Sequence, residues 1–297
     1  VVALGKKKAS QAPETRMLGM RERVLLMVPE TLFDVLLLTI PLCFVVLYSF
    51  WTIDLTTLEV TPGFSIGSYA AIMKPIYLTA LGRSLLITVA TVAGTILLGF
   101  PLAYFISQCK GKPQVVLLVL IMVPFWTSFV IRAYAWTSLL APTGMVNQLL
   151  TLLHVIPEHT DLRYTDVAIV IGMVYSYLPE MVLPLYATLE KLDTNLFAAA
   201  ADLGRSTAST FFTIAVPESK AGIAAGCLLV AIPALGEYTI PAILGGGKTL
   251  MIGNVIASEF ITTGNYSRGA ALATMLLAIV VMLIVVSRII SSRKKVA

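Results

Sequence analysis

Residues 84–109 read SLLITVATVAGTILLGFPLAYFISQC, and this run contains no Asp, Glu, Lys or Arg. A helix needs about 20 apolar residues to cross the hydrocarbon core of a bilayer. Residues 113–131 and 269–287 are equally free of charge. Six stretches qualify as spans, roughly 24–50, 83–106, 115–140, 167–189, 221–244 and 269–290. The composition agrees. Of the 297 residues, 58% are hydrophobic and 12% charged, against about 25% charged in a soluble domain. The predicted class is an all-α membrane protein with six transmembrane helices.

The net charge of +5 bears on orientation rather than on nucleic acid. With both termini cytoplasmic, 15 of the 21 Lys and Arg fall inside: in the tail 1–23, in loops 107–114 and 190–220, and at the C-terminus, where 291–297 forms a basic tail. The positive-inside rule therefore places both termini in the cytoplasm. Loops 51–82, 141–166 and 245–268 then lie outside, and segment 145–156, apolar but too short to span, rests against the outer mouth. The first stretch does not read as a signal peptide: its polar lead is long, its apolar run exceeds a signal core, and no small-residue cleavage site follows. Cys43, Cys109 and Cys227 are scattered and form neither a disulfide framework nor a CxxC site. Prolines recur within the spans (Pro29, Pro41, Pro101, Pro124, Pro179, Pro184, Pro233, Pro241). Each removes a backbone donor and tends to kink its helix, and the freed carbonyls must be met by neighbouring protein or cavity water.

The longest inside loop contains NLFAAAADLGRSTASTFFTIAVPESKAGI, residues 195–223. Ala198–Ala201 is a run of the best helix former. Gly204 permits the left-handed turn that ends a helix. Ser206 is placed to cap a second helix, Phe211, Phe212 and Ile214 give that helix an apolar side, and Pro217 breaks it ahead of the fifth span. The prediction is a short helix–turn–helix on the cytoplasmic face, suited to docking a soluble partner or to lying on its own bundle.

This loop resembles the signature of permease subunits in binding-protein-dependent ABC importers: Glu-Ala-Ala, three residues, Gly, nine residues, Ile, one residue, Leu, Pro. Ala199 and Ala200 stand at the two alanines, Gly204 at the glycine, Ile214 at the isoleucine and Pro217 at the proline, with Val216 for the leucine. Ala198 replaces the glutamate, whose polar anchoring is absent here. Asn195, Asp202 and Phe211 complete the expected coupling loop. Within the family, PFWTSFVIRAYAW (124–136), VLPLYATLEKLD (182–193) and GEYTIPAILGGG (236–247) resemble the spermidine/putrescine permeases. The resemblance implies a type I importer permease in a bacterial inner membrane. Its implied partners are two ATPase subunits on the inner loops, a related second permease and a periplasmic substrate-binding protein. It implies that ATP and Mg belong to the ATPases and that this chain binds no cofactor.

A charge at mid-membrane costs about 2.5–3.5 kcal/mol on an insertion scale and calls for a reason. Arg132, Glu180 and Glu237 lie within spans three, four and five, and Glu30 and Asp34 sit four apart in span one. For a cationic cargo, Glu180 and Glu237 are candidate path residues; the alternative is an ion pair with Arg132 or with a partner helix. Trp126, Trp136, Tyr175, Tyr177 and Tyr238 offer aromatic faces to an ammonium or anchor the chain at the interface. Glu30 and Asp34 face the inner vestibule or the headgroups. His154 and His159 bring no further ligands, so no metal site is expected.

The sequence carries no catalytic constellation. GGGKT at 245–249 matches the end of a phosphate-binding loop, but the first glycine of that motif would fall at Ala242, and the stretch follows a membrane helix. The expectation is a transport subunit, not an enzyme, for a polyamine such as putrescine or spermidine. Other small solutes (GABA or similar amino-acid-like compounds, opines, ferric iron) remain open, as do an ion-coupled secondary transporter and a membrane scaffold.

Overall fold

The computed structural model describes residues 20–54, 57, 59–157 and 160–293. Most of the tail 1–23, Lys294 and Lys295, and His159 lie outside the described residues. The chain divides into two units, Val1–Leu47 and Tyr48–Ala297.

In the first unit α1 (Met20–Asp34) runs through a π-helical turn, Val35–Thr39, into α2 (Ile40–Tyr48). Proline explains the widened turn. Pro41 has no N–H to give, and its ring crowds the carbonyl four residues back. The preceding residue, Ile40, donates to the Val35 carbonyl five residues back. The helix thus passes a proline by widening rather than breaking. Its apolar side chains, among them Phe33, Leu37 and Leu38, are exposed, as are Glu30 and Asp34.

The second unit begins with a two-stranded ribbon, β1 (Thr52–Ile53) against β2 (Val60–Thr61), antiparallel with Thr52 opposite Thr61. Then follow α3 (Gly67–Ile72), α4 (Pro75–Gln108), α5 (Lys112–Met122), α6 (Phe129–Leu139), α7 (Met145–Leu152) and α8 (Asp166–Leu189). The inner segment carries α9 (Thr194–Asp202), α10 (Thr207–Thr210), a second π turn Phe211–Ala215, and α11 (Val216–Glu218). The chain ends with α12 (Lys220–Gly236), α13 (Thr239–Leu244), α14 (Ile252–Ile261) and α15 (Tyr266–Arg293).

The core is the packing of α4, α8 and α12. It buries Ile87 and Phe100 of α4, Met173, Met181 and Leu185 of α8, and Val230 of α12. Without a hydrophobic drive between helices in lipid, small residues permit the close approach. Gly222 and Gly226 of α12 supply it: a Cβ at Gly222 would lie 2.8 Å from the Pro184 carbonyl oxygen, and one at Gly226 2.6 Å from Met181 Sδ. A second cluster joins Ile72, Tyr77, Ile252, Val255 and Leu272 across α3, α4, α14 and α15.

Among the described residues four helical runs have the length and hydropathy of a membrane span: Met27–Tyr48, Pro75–Gln108, Asp166–Leu189 and Tyr266–Ile289. The third expected stretch differs from a single helix. Lys112–Trp126 and Phe129–Leu139 meet at 93°, because Pro124 ends the first in a 3-10 turn and Thr127 and Ser128 are extended. The fifth is divided at Glu237, which separates α12 from α13, and just before that stretch Phe211–Glu218 meets Lys220–Gly236 at 65°. By contrast, Pro101, Pro179 and Pro184 lie inside unbroken helices.

Candidate functional site

The inner segment folds as a helix–turn–helix, as its residues predict. Asp193 caps α9 by accepting from the Asn195 N–H at 2.9 Å. Gly204, at φ 74°, closes it. The Arg205 N–H reaches the Ala200 carbonyl at 3.0 Å and the Gly204 N–H the Ala201 carbonyl at 2.9 Å, the paired bonds of a Schellman end. Ser206 caps the next helix, its Oγ accepting from the Ser209 N–H at 3.2 Å. The π turn Phe211–Ala215 again ends two residues before a proline: the Val216 N–H bonds to the Phe211 carbonyl, and Pro217 follows.

The two faces of this segment differ. On the inner face Phe211 packs edge-on against Phe100 and Tyr104, at ring-centroid distances of 5.1 and 5.2 Å. Phe197 approaches Tyr104 at 6.1 Å. Ala200 and Ala215 are buried; Ile214 and Pro217 are partly so. The outer face carries Asn195, Ala199, Asp202 and Gly204, with Leu203 82% and Phe212 68% exposed. Ala198 lies in α9. The sequence suggested a buried role for Phe212; the structure turns it outward, since neighbouring residues on a helix cannot share a face. Arg205 braces the pair, donating from Nη1 to Thr213 Oγ1 at 2.8 Å.

A second cluster forms at the break between α12 and α13. Glu237 is extended there, at φ −62° and ψ 130°. One carboxylate oxygen accepts from the N–H groups of Thr239 (2.8 Å) and Ile240 (3.3 Å), satisfying the start of α13. The other accepts from the buried Tyr177 hydroxyl of α8 at 2.5 Å. α14 supports the break. Asn254 Nδ2 donates to the Tyr238 carbonyl at 2.8 Å, and a Cβ at Gly253 would stand 2.7 Å from the Glu237 carbonyl oxygen.

Glu180 is half-buried three residues beyond Tyr177 and makes no hydrogen bond or ion pair among the described residues. Arg132 of α6 lies over the rings of Phe129 (5.2 Å) and Phe125 (5.7 Å). Its Nε and Nη1 are buried without an acceptor. Neither carboxylate is ion-paired with it here. The structure thus joins Tyr177 to Glu237 and leaves Arg132 Nε and Nη1 without a hydrogen-bond partner. Trp126 and Tyr238 are instead largely exposed, while Trp136 meets Tyr175 edge-on at 5.5 Å.

The GGGKT turn is no phosphate loop. It follows a helix, its Gly246 and Gly247 take positive φ, and a Cβ at Gly246 would strike the Tyr164 ring. His154 lies in a turn at φ 57°. One functional-looking group escaped sequence reading. Glu259 of α14 is buried, accepts from Tyr77 (2.7 Å) and Thr263 (2.8 Å), and lies 3.6 Å from Arg268 Nη1. Treating 245–268 as loop hid it; the apolar run around Met251–Ile256 was the available signal.

No family model matches the chain. Among solved structures, a bacterial ABC transporter involved in import of the acidic polysaccharide alginate matches with a TM-score of 0.68 at 13% identity, covering 92% of this chain and 96% of that one. The bacterial alginate ABC transporter in complex with an alginate pentasaccharide-bound periplasmic protein matches at 0.69, with 14% identity over 92% and 95% of the two chains. The fold is thus that of an ABC importer permease. The spermidine/putrescine transport system permease protein PotB of Escherichia coli K12 is 38% identical over 223 residues, 75% of this chain and 81% of that protein. The PotB of Haemophilus influenzae is 37% identical over 247 residues, 83% and 86% of the two chains. The inner membrane ABC transporter permease protein YdcU of E. coli is 31% identical over 234 residues, 75% and 74%. The chain belongs to the family of spermidine/putrescine-type ABC transporter permeases.

Proposed function

We propose that this chain is a permease subunit of an ABC importer that moves a polyamine, such as putrescine or spermidine, across a bacterial inner membrane. In this reading each bent helix pair counts as one span, which gives six spans and cytoplasmic termini. The four straight spans, the two bent pairs and the distribution of Lys and Arg support that topology.

The observation that carries the reading is the outward face of the helix–turn–helix, where Leu203 and Phe212 stand exposed on a segment anchored through Phe211 to α4. An ATPase subunit docks on that face. ATP and Mg act on two such subunits, so this chain has no catalytic residue of its own. Closure of the ATPases pushes α9–α11, and the aromatic contact passes the displacement to Phe100 and Tyr104. The bias between inward- and outward-facing states comes from unequal ATPase binding to the two. A related second permease completes the path, and a periplasmic binding protein delivers cargo to the side bearing the 245–249 turn. Glu180 and Tyr177 face the cation path; Glu237 holds the break in which the path is built.

Co-purification tests this directly. Leu203→Arg and Phe212→Ser are expected to lower recovery of ATPase subunits with the permease while the permease itself stays folded. Undiminished recovery in both would remove the docking face.

A further inference from the structure

A cleft of about 240 Å³ opens between the start of α4 and the turn that leads into α14. Ile76, Leu250 and Val255 give it apolar walls, and two cations, Arg83 and Lys248, line it together. Neither cation is well paired. Arg83 meets Asp166 only through Nε, at 3.8 Å and between partly exposed side chains, which is long for a charge-assisted bond. Lys248 is exposed and makes no ion pair among the described residues. The Asp161 carboxylate lies within electrostatic reach of Lys248, but Arg163 already donates to both its oxygens, at 2.9 and 2.8 Å. Three cations (Arg83, Arg163, Lys248) thus face two carboxylates (Asp161, Asp166). A polyamine carries only positive charge and is repelled here, so the cleft is no part of the cargo path. It calls for an anion.

The depth of the cleft points to the kind of anion. Residues 84–109 carry no charge, and within α4 that run extends to Gln108. Its length is about 37 Å, against about 30 Å of hydrocarbon. Arg83 is the charge at its end and so stands at the headgroup level, in the outer leaflet by the proposed topology. Asp166 opens α8, and its contact with Arg83 sets both helices at the same level. Further along α4, Leu86, Val89 and Leu97 are exposed, an apolar strip that begins one turn from Arg83. We propose that the cleft binds the phosphate of an anionic phospholipid such as phosphatidylglycerol, with Arg83 and Lys248 on the phosphate oxygens and the acyl chains along Leu86 and Val89. A guanidinium takes two phosphate oxygens side by side, and an ammonium adds a compact charge. A zwitterionic lipid offers the same phosphate but brings a cation of its own, which the excess of positive charge disfavours. The bound lipid ties the turn carrying Lys248 to the start of α4. The lysine of GGGKT then meets a phosphate at a membrane surface, not in a nucleotide loop. The site depends neither on the cargo nor on the ATPases.

The test uses the whole purified importer in detergent, titrated with dioleoylphosphatidylglycerol or dioleoylphosphatidylcholine, with retained lipid counted by native mass spectrometry. Wild type is expected to retain its first phosphatidylglycerol at concentrations where phosphatidylcholine is not held. A basic side chain at a membrane surface contributes about fivefold to such binding. Arg83→Gln or Lys248→Gln alone therefore weakens that first binding about fivefold, and the two together about 25-fold. Arg83→Lys, which keeps the charge, stays within about twofold of wild type. Lys248 is exposed in a turn, so its variant gives a reading even if Arg83→Gln does not assemble. Equal retention of the two lipids by wild type, or unchanged phosphatidylglycerol retention in the double variant, overturns the site. Displacement of the lipid by free glycerol phosphate at similar concentration assigns the cleft to a soluble phosphate and overturns the lipid. Lost affinity for the periplasmic binding protein in the double variant, with phosphatidylglycerol retention intact, makes the cleft a docking point for acidic side chains of that protein and likewise overturns the proposal.

Discussion

At the scale of residues, the two carboxylates that composition alone made equivalent have different work. Glu237 caps α13 and takes the Tyr177 hydroxyl, so its loss is first a loss of structure. Glu237→Ala removes a cap, worth about 1 kcal/mol, and strands a buried hydroxyl at a further cost of about 1–3 kcal/mol. The purified subunit should melt several degrees lower. Glu180 has no partner to lose, so Glu180→Gln should leave the melting temperature unchanged while impairing uptake. A large thermal shift for Glu180→Gln would assign it a structural role. Glu259 is the third case. With Tyr77, Thr263 and Arg268 around it, Glu259→Ala leaves Arg268 without its counter-charge. Breaking a buried pair costs about 3–5 kcal/mol, and the partial exposure of Arg268 puts this case at or below about 3 kcal/mol. Thermal unfolding of the variant measures it.

At the scale of elements, the coupling segment divides into an anchor and a contact face. Phe211→Ala should destabilise the segment, by about 2–3 kcal/mol for a partly buried ring, visible as early hydrogen exchange across 194–218. Gly204→Ala forces a side chain to φ 74°, at about 1 kcal/mol, and should loosen the link between ATP hydrolysis and uptake. Most of this segment was legible in the sequence: the alanine run, the glycine stop and the Ser206 cap each found the predicted place, whereas the helix runs on through Pro217 to Glu218 and bends at Ser219 instead. Two features were not. Neighbouring phenylalanines carry no local sign of which faces inward; Phe100 and Tyr104, about a hundred residues earlier, decide it. The prolines were equally ambiguous. Pro41 and Pro217 follow widened turns, Pro124 precedes a 93° break, and Pro101 lies in an unbroken helix.

At the scale of the whole molecule, the span count was read from apolar length, which is why broken helices were invisible: a run of apolar residues looks the same straight or bent. The proposed topology sets opposite faces for two turns. Cysteine at Leu203 should react with a membrane-impermeant maleimide only from the cytoplasmic side, and cysteine at Lys248 only from outside. Labelling of both from one side would reverse or rebuild the topology.

The central claim is ATP-driven uptake of a cation through this chain. Its most direct measurement uses proteoliposomes containing this permease, its partner permease, the ATPases and the binding protein. The account predicts that putrescine accumulates only with ATP on the ATPase side, and that uptake ends when the ATPases are omitted. Accumulation by this chain alone, driven by a proton or sodium gradient and indifferent to ATP, would contradict it.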